Sequence, residues 1–140
     1  MRKKNSNAEF SSQRSEALLK NFRRSLATQS QITRIRAFQE AAEAPAPRFW
    51  VTESRATRVI TRMMKGEEIL EGMQPGKRKM YKEIYRRVVE MLRRSPRMPV
   101  GDAVFEVVNS PAPSSYLGID RVIHIITKEK TRRAESLPEQ

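Results

Sequence analysis

Lys79, Lys82, Arg86 and Arg93 recur at spacings of three, four and seven, so a helix of 3.6 residues per turn carries them in one strip. Lys77, Arg87 and Arg94 widen the same side. Arg55, Arg58 and Arg62 repeat the spacing in a second segment, beside an apolar stripe. Cations fixed on a rigid support can contact successive phosphates of a polyanion, and that is the chemistry this pattern offers. The competing reading is two solvated helix faces with no ligand.

Other chemistry is sparse. There is no cysteine, which excludes disulfides, thiol catalysis and cysteine-held zinc. His124 is the single imidazole and stands between Ile123 and Ile125, with no carboxylate placed by sequence to orient it as a base. Ser54, Ser110, Ser114 and Ser115 lack a nucleophile-elbow context, and Gly72-x-x-x-Gly76 lacks the Lys-Ser/Thr ending of a phosphate loop. Glu67, Glu68 and Glu71 lack the Asp/Asn spacing of a calcium loop and read as a solvated capping cluster. The expectation is a non-enzymatic protein with no catalytic residues, cofactor or metal. Trp50, Tyr81, Tyr85 and Tyr116 invite comparison with a base-stacking platform. Their positions favour core packing for all four; of these Tyr81, which borders Lys77 and Lys82, is the one most open to exception.

The chain of 140 residues carries 28 Lys and Arg against 16 Asp and Glu, a net charge of +12. This charge is segregated. Residues 1–40 hold a net +6 and residues 73–98 a net +7, while 99–120 hold a net −3. Two basic concentrations separated by neutral or acidic stretches fit a polyanion footprint better than a general solubility charge. No apolar run approaches the ~20 residues that span a bilayer, and the basic start MRKK leads into polar sequence and not a signal-type apolar stretch. A membrane-surface role is disfavoured because the apolar stripe beside the basic strip is needed to build a core.

The elements that must position these residues follow from periodicity. Residues 1–15 are polar and aperiodic and read as a flexible basic arm. From Glu16, Leu18, Leu19, Phe22 and Leu26 mark a helix, and Ile32, Ile35, Phe38 and Ala42 continue it after a break near Thr28–Ser30. Pro45-Ala46-Pro47 ends that run. Thr52 or Ser54 caps a helix carrying Ala56, Val59, Ile60, Met63 and Met64, which Gly66 stops. Pro75 opens the clearest helix, 75–94, with Met80, Tyr81, Ile84, Tyr85, Val88, Val89 and Leu92 on one side; Ser95-Pro96 closes it. Residues 100–109 read as a short helix. Residues 120–127 are rich in β-branched residues and can be strand or helix, and 128–140 read as a polar tail.

An internal repeat bears on that ambiguity. PAPRFWVTESRATRVIT from Pro45 matches PAPSSYLGIDRVIHIIT from Pro111 at an offset of 66, with identities at Pro45/Pro111, Ala46/Ala112, Pro47/Pro113, Arg55/Arg121, Ile60/Ile126 and Thr61/Thr127. If the copies 37–65 and 103–131 share one conformation, 120–127 is helical. The proline turns would then aim Trp50 and Tyr116 into a core shared by the copies.

The reading is an all-α, small multi-helix domain over 16–127 with an internal duplication, its C-terminal element alternatively a strand. The expected partner is DNA or RNA, with weak sequence specificity. Its contacts are Lys77, Lys79, Lys82, Arg86, Arg87, Arg93 and Arg94, with Arg55, Arg58 and Arg62. The alternative is a structural subunit whose basic face meets protein neighbours or a second copy. Either role is expected in the cytoplasm or within a nucleoprotein or virion assembly.

Overall fold

A computed structural model describes residues 3–136, with side chains placed from Phe10 to Glu135. Six helices follow one another: α1 (Lys3–Thr28), α2 (Arg34–Glu43), α3 (Glu53–Met64), α4 (Pro75–Arg94), α5 (Val100–Val108) and α6 (Ile119–Ser136). There are no strands among the described residues, so the fold is all-α.

Local chemistry sets most of the boundaries. The hydroxyl oxygens of Thr33 and Thr52 accept hydrogen bonds from the Arg36 and Arg55 N–H groups, both at 3.2 Å, and so cap α2 and α3. α3 ends in a glycine turn. Gly66 takes φ +87°, its N–H bonds to the Met63 carbonyl (3.0 Å), and the Glu67 N–H reaches the Arg62 carbonyl (3.1 Å). Pro75 occupies the first turn of α4, where its missing N–H costs nothing. In α6, Val122, Ile125 and Ile126 are buried at helical spacing, and this period overrides the β-branched composition that suggested a strand.

The helices divide into two compact units. One holds the residues up to Pro45 and those from Pro113 onward, where α1, α2 and α6 pack against one another. Its core is Leu18, Leu19, Phe22, Ala37, Phe38, Ala41, Ala42, Val122, Ile125 and Ile126, with the rings of Phe22 and Phe38 stacked 4.4 Å apart. The other unit spans Ala46–Ala112, where α5 packs on both α3 and α4. Here Phe49, Ile60, Tyr81, Ile84, Val88, Val104 and Val108 are fully buried. The single helical domain read over 16–127 is therefore two units. Sequence could not show this, because the third helix of each unit comes from the far side of the repeat.

The offset of 66 persists through the boundaries. α1 and α4 end at Thr28 and Arg94, α2 and α5 begin at Arg34 and Val100, and α3 and α6 begin at Glu53 and Ile119. Backbone bonds around the proline turns obey the same correspondence. The Phe49 N–H bonds to the Val108 carbonyl (3.0 Å), and the Ser115 N–H to the Ala42 carbonyl (3.2 Å). Ala46 and Ala112 exchange reciprocal N–H to carbonyl bonds of 2.9 and 2.8 Å. Copy one runs α1, α2, turn, α3 and copy two runs α4, α5, turn, α6, with the third helices exchanged between units. Each core is thus composed from both copies. Trp50 is buried, whereas Tyr116 is only half-buried and has a left-handed backbone, φ 61°.

Two segments differ from the reading of a polar arm and tail. Helix α1 begins at Lys3, inside the segment 1–15, because buried Phe10 extends the stripe of Leu18 and Phe22 by two turns. α6 continues to Ser136 and buries Glu129, whose carboxylate is held by two arginines of its own helix. Residues 1–2 and 137–140 of that arm and tail lie outside the described residues.

Candidate nucleic-acid interface

α4 buries Met80, Tyr81, Ile84 and Val88, which turns Lys79, Lys82, Arg86, Arg93 and Arg94 toward solvent; Lys77, in line with Tyr81 and Ile84, is exposed in the first turn of the helix. α3 buries Ala56, Val59 and Ile60, which exposes Arg55, Arg58 and Arg62. The two helices belong to one unit and pack directly, so its surface combines both basic segments.

The ten cations are not equivalent. Lys77, Lys79, Lys82, Arg55 and Arg58 are exposed and carry no ion pair among the described residues. Arg62 pairs with Glu67 at 3.0 Å, and Arg93 and Arg94 share Glu90 at 3.3 and 3.6 Å. Arg86 and Arg87 share Glu83 at 2.7 and 2.8 Å. The hydrogen bond from Arg86 and then that from Arg87 hold the Glu83 carboxyl below its ordinary range, and Glu83 raises Arg86 in return. Exposed pairs of this kind contribute little to stability, but the three carboxylates offset part of the charge that these arginines offer outward.

Arg87 does something else. Its Nη1 donates to the Pro111 carbonyl at 2.8 Å and to Ser110 Oγ at 3.3 Å, and its guanidinium lies 5.1 Å from the centre of the Phe49 ring. With its side chain only 28% exposed, it ties α4 to the chain around the second proline turn and is not available to a ligand. Sequence placed it on the basic side of α4 and could not see the long-range acceptors.

Tyr81 packs as its place on the apolar stripe suggested: it is 1% exposed and belongs to the core, so it offers no stacking face. Tyr85 is half-buried. With Arg78 and Lys82 it lines a groove of about 550 Å³, walled on the other side by Met63, Gly66 and Glu67. Arg78, which the sequence reading passed over, is half-buried in that groove.

His124 is exposed on α6, and among the described residues no three His, Asp or Glu side chains converge to hold a metal ion. Among the described residues no helix is long and apolar enough to cross a membrane. No protein family, curated protein or solved structure matches this chain.

Proposed function

We propose that this is a non-enzymatic nucleic-acid-binding protein whose α3–α4 unit contacts phosphates. The observation that carries the reading is the set of five exposed cations, Arg55, Arg58, Lys77, Lys79 and Lys82, on two packed helices with no carboxylate partner among the described residues. Unpaired surface cations are the groups that release counterions from a nucleic acid and gain affinity from doing so. The fold does not need the two lysines of the strip: at the positions of Lys79 and Lys82, the other copy's first helix has Gln13 and Glu16. Lysine and arginine aimed at a backbone position the protein without reading bases. The first turns of α4 carry no Asn or Gln beyond Gln74 at the cap, so discrimination between sequences is weak. On this reading the protein works in the cytoplasm or within a nucleoprotein or virion particle.

Titration of a labelled duplex at several salt concentrations tests the proposal. Five phosphate contacts give a log–log salt slope of about −4.5 for duplex DNA. A folded variant with all five residues changed to Gln loses most of that slope, with similar effects on unrelated sequences. An unchanged slope removes this surface from the interface. A wild type that fails to bind at low salt turns the assignment toward a structural subunit, for which exposed Phe105 on α5, at 54%, is the supporting observation.

A further inference from the structure

The unit of α1, α2 and α6 has a groove of its own. Arg14 and Ser15 of α1 face Arg121, His124, Lys128 and Thr131 of α6 across about 660 Å³. Two carboxylates also line it: Glu129 accepts from Arg132 and Arg133 at 2.6 and 2.8 Å and is already neutralised, and Glu135 is exposed to solvent. Arg121, His124 and Lys128 carry no ion pair among the described residues.

Arg14 is the anomaly. It lies on the buried stripe of α1, one turn after Phe10 and one turn before Leu18. The corresponding residue of α4, one turn before buried Ile84, is buried Met80. A guanidinium therefore stands where the other copy has an apolar side chain. Its Nε is buried without a hydrogen-bond partner, although the cation does lie 5.7 Å from the centre of the Phe10 ring. Burial, and then the like charge of Arg121, push Arg14 below its ordinary range. A buried donor without an acceptor is costly, and a second cation beside it adds to the cost. Both costs are relieved by one kind of ligand, an anion with several oxygens placed between them.

The α6 cations support the same conclusion. Arg121, His124 and Lys128 occupy the positions that Arg55, Arg58 and Arg62 occupy on α3, so the third helix of each copy carries a cation or imidazole at the same three places.

We propose that the α1–α6 groove binds a phosphate group, held by Arg14, Arg121 and Lys128 with the hydroxyl of Ser15. The site stands on this unit alone and does not depend on the assignment of the α3–α4 surface. Phosphate presents tetrahedral oxygens to converging guanidinium and hydroxyl donors, the match the groove offers. The group can belong to a free phosphate anion or to a nucleic-acid backbone.

The test is thermal unfolding of the full chain in inorganic phosphate against sodium chloride of equal ionic strength. The wild type is expected to gain several degrees in phosphate over chloride. Arg14→Met restores the apolar residue of the other copy, so it should fold at least as well and lose the phosphate-specific gain. The surface variant Arg121→Gln/Lys128→Gln should lose it too. The five-site α3–α4 variant should keep it, which separates failure of this site from failure of the proposed function. In that five-site background, duplex binding competed by phosphate identifies a nucleic-acid backbone as the source. A response to inorganic phosphate alone identifies a free anion. Equal unfolding in phosphate and chloride, or a gain that survives in Arg14→Met, overturns the proposal.

Discussion

The two units use corresponding positions for the same structural work and place a cation or imidazole at the same three positions of α3 and α6, but their first helices differ in charge. Ala37, Ala41 and Ile126 in one unit, and Ala103, Val107 and Ile60 in the other, are all buried, matched pairwise at the offset of the repeat. The first helices diverge. α1 has aromatic Phe10 and Phe22, an arginine on its buried stripe, and an outer face with Gln13 and Glu16; α4 has an aliphatic and tyrosine stripe with lysines outside. Core composition thus reports what a three-helix unit requires, whereas charge that differs at corresponding positions reports what each unit was given beyond folding. By that measure the lysines of α4 and the half-buried Arg14, with its buried Nε, are the informative residues.

The largest effects should come from removing buried rings. Phe22→Ala takes away a ring stacked on Phe38, and Trp50→Ala empties a buried site in the other unit. Each should cost about 3–5 kcal/mol by denaturant unfolding. If hydrogen exchange shows both units opening equally in both variants, the two do not have separable cores. A cost below about 0.5 kcal/mol for Trp50→Ala would place that ring outside the packed core altogether.

Arg87→Ala comes next. It removes the donors to Pro111 and Ser110 and should cost about 1–3 kcal/mol, with no change in the salt slope of duplex binding. Arg87→Lys should not restore stability, because one ammonium cannot serve both the Glu83 carboxylate and the Pro111 carbonyl in the same fork geometry. A lower salt slope with intact stability would make Arg87 a ligand contact after all.

Much of this comparison was legible in the sequence, for physical reasons that differ by element. Apolar spacing and Pro75 marked α4, Thr52 and Gly66 framed α3, and the PAP repeat pulled 120–127 toward helix. The beginning of α1 was not legible, because Phe10 is the single large apolar residue among polar neighbours and gains meaning only when it is buried. The exchange of third helices was hidden too, since periodicity gives a helix its apolar face but not its partner. The five exposed cations were all visible in the spacing of basic residues. The acceptors of Arg87 were not, because the Pro111 carbonyl lies 24 residues away in the chain.

Acid should act on the α1–α2–α6 unit through Glu129. Hydrogen bonds from Arg132 and then Arg133 hold its carboxyl at about 2, against an ordinary 4.5. A depressed folded value means that the stabilisation is present in full above the ordinary value and is lost as pH falls from there toward 2. Glu129→Gln should remove this part of the acid limb of α6 helicity, measured by circular dichroism, and leave the curve above pH 5 lower and flatter. An identical acid limb in the variant would assign it to other carboxylates, Glu40 among them.

The smallest effect belongs to Glu90, which holds exposed Arg93 and Arg94. Glu90→Gln should change stability by no more than about 0.5 kcal/mol. It should nonetheless strengthen duplex binding, because two cations are released toward the ligand. Unchanged or weaker binding would confine the interface to the first half of α4.

The most direct test is to follow backbone amide resonances of the full chain while a short duplex is added at low salt. Shifts should concentrate on α3 around Arg55 and Arg58 and on α4 from Lys77 to Lys82, and fade as salt is raised. Shifts that spare both helices, or that persist undiminished in high salt, would contradict this assignment.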